Sequence, residues 1–139
     1  MNFKKNRVLI LAPHTDDGEL GAGGTINKLI KTGSDVFYVA LSTHESFGVA
    51  VIEASACEIR VVVSNVGSLP EVVEDGVSGT IVSSENPEEA AIAIEKYIFD
   101  ENLRKKTGKS GRERVEKLYN WKVNVSDMIN IYTEIIKKK

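Results

Sequence analysis

The chain has 139 residues, of which 42% are hydrophobic and 27% are charged, and this composition is typical of a globular protein with a buried core. The 18 basic and 20 acidic side chains leave a formal net charge of −2, which argues against a nucleic-acid partner, because such binding relies on a net basic face. No apolar stretch is long enough to span a bilayer and no signal-peptide pattern follows Met1, so we expect no membrane partner. The single cysteine cannot form an internal disulfide, and we therefore expect a cytoplasmic location.

Short apolar runs alternate with helical patterns along the chain. The predicted strands are Val8–Ala12, Val36–Leu41, Ile59–Val63 and Thr80–Val82. The predicted helices are Glu19–Lys31, Ser46–Cys57, one that begins at Pro87 after an Asn86 cap, Glu101–Leu118 and Trp121–Ile136. This alternation predicts an α/β fold: one Rossmann-like, three-layer domain over residues 1–139 with a four-stranded parallel sheet and a helical C-terminal third. The strand order is expected to be 1-2-3-4, with 2-1-3-4 as the alternative.

Two apolar features of the helices are predicted to belong to the core. The last helix carries an apolar stripe at helical spacing, which is typical of core packing. Cys57, at the end of an apolar helix, is interpreted as a small buried side chain rather than a nucleophile. The stripe consists of Trp121, Val125, Met128, Tyr132 and Ile135.

A histidine and two aspartates follow the first predicted strand, in the segment Pro13-His14-Thr15-Asp16-Asp17. This position is the carboxyl edge of the sheet, where ligands bind in α/β proteins. An imidazole and a carboxylate three residues apart can share one divalent ion, and the neighbouring Asp16 can then act on a bound water. The alternative is a solvated turn in which an aspartate caps the next helix.

Residues 7–42 resemble the start of the PIG-L/LmbE family of zinc-dependent N-acetylglucosaminyl deacetylases, through the Pro-His-x-Asp-Asp motif and the Gly23-Gly24-Thr25 segment. The resemblance implies that His14 and Asp17 hold zinc and that Asp16 is the general base. The family takes a third ligand from a later histidine, whereas His44 lies in a different sequence pattern here. We therefore expect an incomplete zinc site with a vestigial base, and no resident cofactor.

Two glutamates at an E-x7-E spacing, Glu45 and Glu53, enclose the Ser46-Phe47-Gly48 segment. Considered alone, this spacing is also typical of a solvated helix face. Residues 44–136, however, resemble the C-terminal half of a GT-B, family 4 retaining glycosyltransferase, and this motif is the main basis of the resemblance. The resemblance implies that Glu45 contacts the donor sugar, that Glu53 contacts the nucleotide ribose, and that the amides near Phe47 and Gly48 face the sugar diphosphate.

Three positions depart from the glycosyltransferase pattern. Arg60 stands where proline is usual, and Glu58 and Ser68 each stand where glycine is frequent. The glycine-rich loop, the basic diphosphate-binding residues and the acceptor domain of the family lie upstream of the matched segment, where this chain has its deacetylase-like piece.

The two resemblances meet near residues 41–45 and lead to three hypotheses. The first is a recombined or engineered chimera that folds but lacks catalysis, because each part lacks pieces of its active site. The second is a small module with weak affinity for a nucleotide-sugar of the UDP type or for a divalent metal. The third is a working transferase or deacetylase. The expected assembly is a monomer or a weak homodimer.

Overall fold

Four parallel strands form a single sheet in a computed structural model that describes residues 7–12, 17–41 and 43–138. The strand order is β1-β2-β3-β4, so the predicted order 1-2-3-4 is confirmed and the alternative 2-1-3-4 is wrong. Arg7 pairs with Asp35 at the start of the first ladder, Phe37 with Arg60 in the second, and Val62 with Thr80 in the third. The strands are β1 (Arg7–Ala12), β2 (Asp35–Ala40), β3 (Arg60–Ser64) and β4 (Thr80–Val82).

The helices follow the predicted pattern, and the boundary that shifts most is the start of α2. They are α1 (Asp17–Lys31), α2 (Val49–Ala56), α3 (Leu69–Val72), α4 (Pro87–Phe99), α5 (Glu101–Leu118) and α6 (Trp121–Lys137). The α2 helix was expected from Ser46, but it begins at Val49 because Gly48 adopts a left-handed conformation with φ 79° and ψ 42°, which no helix continues through. Helix α4 begins at Pro87 as predicted, and the Asn86 side chain accepts a hydrogen bond from the Glu89 amide at 3.1 Å.

Two hydrophobic clusters cover the two faces of the sheet, which gives the predicted three layers. On one face, alternate side chains such as Tyr38 and Val61 pack with α2, α3 and the apolar side of α1. On the opposite face, Phe37 and Val62 pack against α4, where Tyr97 is buried. The continuous apolar runs of the central strands follow from this arrangement, because both faces are covered.

Helix α5 joins the layers through two glycines and three arginines. Gly108 and Gly111 do not interrupt the helix; both are buried, and a Cβ on Gly108 would collide with the backbone carbonyl of Glu58. The arginines donate to the carbonyl groups at the C-terminal ends of three other helices, which otherwise lack intrahelical partners. Arg104 donates to α4, Arg112 to α2 and Arg114 to α3.

The departures at positions 58 and 60 have structural explanations. Glu58 has φ 58°, the left-handed region that favours the glycine of the family pattern. Arg60 donates from Nε to the Arg104 carbonyl at 3.0 Å, lies 5.7 Å from the Phe37 ring centroid, and approaches Asp35 at 3.8 Å. Its guanidinium thereby connects the amino ends of β2 and β3 to α5.

The predictions for Cys57 and for the final apolar stripe are wrong. Cys57 is exposed, because α2 ends at Ala56 and the following turn lies at the surface. Helix α6 has no buried residue in the described part of the chain. Its periodicity identified the apolar face correctly, but periodicity carries no information about what covers that face.

Candidate functional site

Three loops meet at the carboxyl edge of the sheet. They leave β2 at Leu41, β3 at Asn65 and β4 at Ser83, and each leads into a helix N-terminus. In open α/β sheets this edge is where ligands bind. The loop after β1 contains residues 13–16, which lie outside the described residues.

The loop after β2 is organised by Glu45. The Glu45 Oε1 atom accepts hydrogen bonds from the backbone amides of Phe47 and Gly48, each at 3.0 Å. Gly48 is the N-cap residue of α2 and has no side chain to cap the helix. The half-buried Glu45 carboxylate binds the amides of the N-cap residue and of the residue before it, which precede the first-turn amides that a capping side chain binds. Its negative charge also lies at the positive end of the α2 dipole, which is a favourable position.

These hydrogen bonds bear on the predicted role of the loop amides. The amides of Phe47 and Gly48 were expected to face a sugar diphosphate. In the structure they donate to Glu45, so a diphosphate can reach them only when that carboxylate turns away. The Glu45 carboxylate therefore already occupies the position before α2 that was predicted for the sugar diphosphate.

Two glycines allow the loops to approach each other closely. Gly67, in the loop after β3, has φ 53°, and a Cβ there would collide with the backbone carbonyl of Glu45. A Cβ on Gly48 would lie 2.8 Å from the Cδ2 atom of Leu69, which is fully buried. Gly67 was interpreted from the sequence only as a loop residue and not as part of the site, although a glycine between a strand and a Leu-Pro turn is a recognisable signal.

Phe47 connects the loop to the start of α6. Its ring is 50% exposed and meets the edge of Tyr119 with the centroids 6.0 Å apart and the planes at 87°. This T-shaped geometry is a preferred one for aromatic pairs. Tyr119 was not predicted as part of the site, because it is distant in sequence and only the fold brings it near.

Glu53 lies apart from the Glu45 loop. It is exposed on α2 and lines a cleft of about 360 Å³ between α1 and α2. The lining of this cleft is mainly apolar and does not include Glu45: Gly23, Ile26, Asn27, Ile30, Tyr38, Glu53, Ala54, Cys57 and Ile59. The structure thus places the two glutamates of the motif on the same loop–helix unit but not in a common cavity.

A second cleft, of about 180 Å³, lies between the ends of β2, β3 and β4 and the start of α4. Hydroxyl groups line much of it, and the sequence analysis did not single them out. Its lining is Leu41, Thr43, Ser64, Ser83, Ser84, Glu85, Asn86 and Pro87. Serine and threonine hydroxyls both donate and accept hydrogen bonds, so this cleft is chemically suited to sugar or phosphate oxygens.

The predicted zinc site falls largely in the segment after β1. His14 and Asp16 lie outside the described residues, and Asp17 is the first residue of α1. Within the ranges 7–12, 17–41 and 43–138, no group of three or more His, Cys, Asp or Glu side chains is placed to hold a metal ion. The zinc roles of His14 and Asp17 and the base role of Asp16 stay predictions.

The sequence model of the family "Glycosyl transferases group 1" matches residues 21–114, which is more than half of the chain. The chain belongs to this family. The matched residues include the Glu45 loop, α2 and the residues that line the two clefts. The family agrees with the glycosyltransferase resemblance of residues 44–136.

The chain matches only part of the length of each individual relative. An uncharacterized glycosyltransferase of Methanocaldococcus jannaschii is 34% identical over 99 residues, which are 71% of this chain and 28% of that protein. A D-inositol 3-phosphate glycosyltransferase of Saccharomonospora viridis is 34% identical over 97 residues, 69% of this chain and 22% of that protein. The group 1 chain thus spans about a quarter of the length of the curated relatives it matches.

Solved structures show the same fold. Sucrose-phosphate synthase from Thermosynechococcus elongatus superposes with a TM-score of 0.73 at 23% identity, over 94% of this chain and 39% of that one. The C-terminal domain of the group 1 protein LpcC from Francisella tularensis gives 0.61 at 17% identity, over 85% of this chain and 87% of that domain. Anabaena HepE, solved in complex with UDP-glucose, gives 0.69 at 16% identity, over 91% and 40%. The fold is that of a C-terminal-type GT-B domain.

The comparisons give no support to a deacetylase segment or to a chimeric origin. The family match begins at residue 21, so it already includes much of α1 and all of β2 within the segment that was likened to PIG-L/LmbE. The Gly23-Gly24-Thr25 segment of that resemblance thus lies inside the glycosyltransferase match. None of the helices in the described part of the chain has the length and apolarity needed to cross a bilayer.

Proposed function

We propose that this group 1 domain binds a nucleotide-sugar donor at the carboxyl edge of its sheet, with the Glu45 loop as the centre of the site. The observation that carries the proposal is the pair of hydrogen bonds from the Phe47 and Gly48 amides to Glu45 Oε1. They identify the N-terminus of α2 as a place where two amides converge on one anionic oxygen. Such an arrangement also suits a phosphate oxygen.

Binding by this route exchanges one anion for another. A diphosphate that reaches the two amides displaces the Glu45 carboxylate, because two anions cannot share the same donors. The released carboxylate is a strong acceptor for the hydroxyl groups of the attached sugar. Glu45 would then contact the sugar, as the family resemblance implies, and the same residue would hold the loop in shape when no donor is bound.

The properties of related proteins support this proposal. HepE, which shares the fold, was solved with UDP-glucose and with UDP, and several curated relatives are named as glycosyltransferases. Those proteins are far longer than the matched region, and donor binding is the part of their activity that the residues described here can support. A UDP-type donor is therefore the proposed partner, and the hydroxyl-lined cleft is proposed to receive part of it. The contact between Glu53 and the ribose stays what the family resemblance implies.

Isothermal titration calorimetry of the 139-residue chain with UDP and UDP-glucose tests the proposal. We expect measurable binding, and an increase in thermal stability that follows the ratio of ligand concentration to Kd. Glu45→Gln should weaken the binding of UDP-glucose relative to that of UDP by roughly tenfold, because a charge-assisted hydrogen bond to the sugar is lost, whereas removal of the competing carboxylate from the two amides affects both ligands alike. The control is Glu95→Gln, which removes an exposed carboxylate on α4 and should leave the affinity unchanged.

Two results would refute donor binding at this loop. One is the absence of heat and of any thermal shift at millimolar UDP or UDP-glucose. The other is binding that Glu45→Gln and Glu95→Gln weaken equally, which would place the ligand elsewhere. A parallel titration with zinc, using His14→Ala as the variant, addresses the separate hypothesis of a divalent-metal site at His14 and Asp17.

A further inference from the structure

The Phe47 ring is held by a residue far from it in sequence, Tyr119. The two rings form a T-shaped pair with their centroids 6.0 Å apart, and such pairs are favourable beyond the area that they bury. Half of the Phe47 surface is nevertheless exposed to solvent, so burial in the core does not fix this side chain. The contact with Tyr119 is therefore a main restraint on the Phe47 ring.

Tyr119 is firmly placed relative to the start of α2. Its amide donates to the Val115 carbonyl at 2.9 Å, which continues the hydrogen-bond pattern of α5, and its side chain packs against the core cluster that includes α2. Helix α5 in turn lies close to α2, where a Cβ on Gly111 would lie 3.5 Å from the Cβ of Ser55. Tyr119 is thus a fixed point from which the Phe47 ring can be held.

The restraint on the Phe47 ring also acts on the candidate donor site. The amides of Phe47 and Gly48 are the two groups that converge on Glu45 Oε1, and these hydrogen bonds are lost when a diphosphate displaces the carboxylate. Gly48, with φ 79°, adds backbone freedom beside Phe47, because glycine samples conformations that other residues disfavour. The ring contact with Tyr119 then remains as a restraint that does not depend on Glu45.

We propose that Tyr119 is a positioning residue for the donor site, which keeps the Phe47 and Gly48 amides in the orientation that a diphosphate needs. This role rests on the proposed binding of a nucleotide-sugar at the Glu45 loop. Without the ring contact, the unbound loop populates conformations in which the two amides diverge, and the apparent affinity falls with the fraction of chains that stays competent. Because UDP and UDP-glucose share the diphosphate, both ligands should be affected alike.

Titration calorimetry of Tyr119→Leu and Tyr119→Phe with both ligands tests the proposal. Tyr119→Leu removes the ring and should weaken the binding of UDP and of UDP-glucose by the same factor, roughly twofold to tenfold, which is the range that an aromatic pair contributes. Tyr119→Phe keeps the ring and should restore most of the affinity. This pattern differs from that of Glu45→Gln, which should weaken UDP-glucose binding relative to UDP binding.

Tyr97→Phe controls for a general loss of stability. Tyr97 packs on the opposite face of the sheet, and its hydroxyl lies 2.8 Å from that of Thr80, so this variant loses a hydrogen bond away from the loop. It should unfold at lower urea concentration than the wild-type chain and bind UDP equally well. Exchange of the Phe47 and Gly48 amide protons with water, followed by NMR without ligand, should be faster in Tyr119→Leu and unchanged in Tyr97→Phe.

The positioning role and donor binding are separable in these measurements. A wild-type chain that binds UDP, together with a Tyr119→Leu variant that binds it equally well, would overturn the positioning role and leave donor binding intact. Equal weakening by Tyr119→Phe and Tyr119→Leu would also overturn it, because one of them keeps the ring. A wild-type chain that binds neither ligand would overturn the donor proposal and this role with it. If Tyr119→Leu does not fold, Phe47→Leu removes the other ring of the pair and is held to the same expectation.

Discussion

The backbone carbonyl of Glu45 occupies the space that a side chain at Gly67 would need. This contact joins the loop after β2 to the loop after β3 at the point where the carboxylate of Glu45 binds the start of α2. The shape of the candidate site therefore depends on a position that carries no chemistry of its own. Gly67 also has φ 53°, so a side chain there would be unfavourable even without the contact.

Gly67→Ala is expected to damage both stability and donor binding. We expect a loss of roughly 2–3 kcal/mol in the free energy of unfolding. The new Cβ would collide with the Glu45 carbonyl, and alanine is also strained in the left-handed conformation of this residue. The control is Gly76→Ala, since Gly76 has a similar φ of 71° but nothing within 4 Å of a Cβ. It should lose only roughly 1 kcal/mol. Urea unfolding of both variants measures the difference, and equal losses would show that the Glu45 contact is unimportant.

Arg114 is expected to stabilise the turn that follows the Gly67 loop. Its guanidinium donates from Nε to the Val72 carbonyl at 2.9 Å and from Nη2 to the Glu71 carbonyl at 2.9 Å, and thus satisfies the end of α3. Arg114→Met should cost roughly 2–3 kcal/mol, since hydrogen bonds from a charged donor are lost while the apolar stem is kept.

The control for this prediction is Arg112→Met on the same helix. Arg112 donates to the Ala56 carbonyl at 3.2 Å and pairs with Glu116 at the surface, where such contacts contribute little. Its substitution should cost less than half as much as that of Arg114 in a urea titration. If Arg112→Met proves the more destabilising, the capping role assigned to Arg114 is wrong.

The sequence predicted the architecture well because the signals for it are local. Branched apolar runs marked every strand, and Asn86 followed by Pro87 marked the start of α4. The start of α2 was missed because a left-handed Gly48 interrupts an apolar pattern that continues unchanged. The exposure of Cys57 and of α6 was missed because hydrophobicity identifies a face without identifying its partner.

The candidate site was predicted less completely, for a related reason. Glu45 was identified from its motif, but its hydrogen bonds to Phe47 and Gly48 depend on the backbone path of the loop. Gly67 and Tyr119 reach the same loop from other parts of the chain, and these approaches follow from the fold. Contacts between segments that are distant in sequence produce no repeating pattern that a single sequence can reveal.

Glu58 offers a stabilising substitution that the family pattern anticipates. Its φ of 58° is strained for a residue with a side chain, and glycine is frequent at this position in the resembled family. Glu58→Gly should raise the free energy of unfolding by roughly 0.5–1 kcal/mol, since relief of the strain exceeds the entropic cost of glycine in the unfolded chain. Glu95→Gly, in the interior of α4, should instead lower it by roughly 1 kcal/mol. Thermal and urea unfolding give both values, and destabilisation by Glu58→Gly would mean that its side chain makes contacts worth more than the strain.

Glu89 is expected to make stability depend on pH in the acidic range. Its Oε2 atom accepts a hydrogen bond from the backbone amide of Ser83 at 2.8 Å, and this bond lowers the pKa of the carboxyl below its ordinary value of 4.5. Because the folded-state pKa is lower than the unfolded one, the stabilisation is fully present above the unfolded pKa and is lost as the pH falls through the folded pKa.

Glu89→Gln should therefore flatten the fall in stability as the pH drops below the ordinary carboxyl pKa of 4.5, while it lowers stability at neutral pH. Urea midpoints measured at several pH values, together with an NMR titration of the Glu89 carboxyl carbon, provide the check. Glu88→Gln is the matched control, because it leaves the bond between Ser83 and Glu89 in place and should keep most of the wild-type pH dependence. A Glu89 titration midpoint at or above the ordinary value would show that the hydrogen bond from the Ser83 amide to Glu89 does not form in solution.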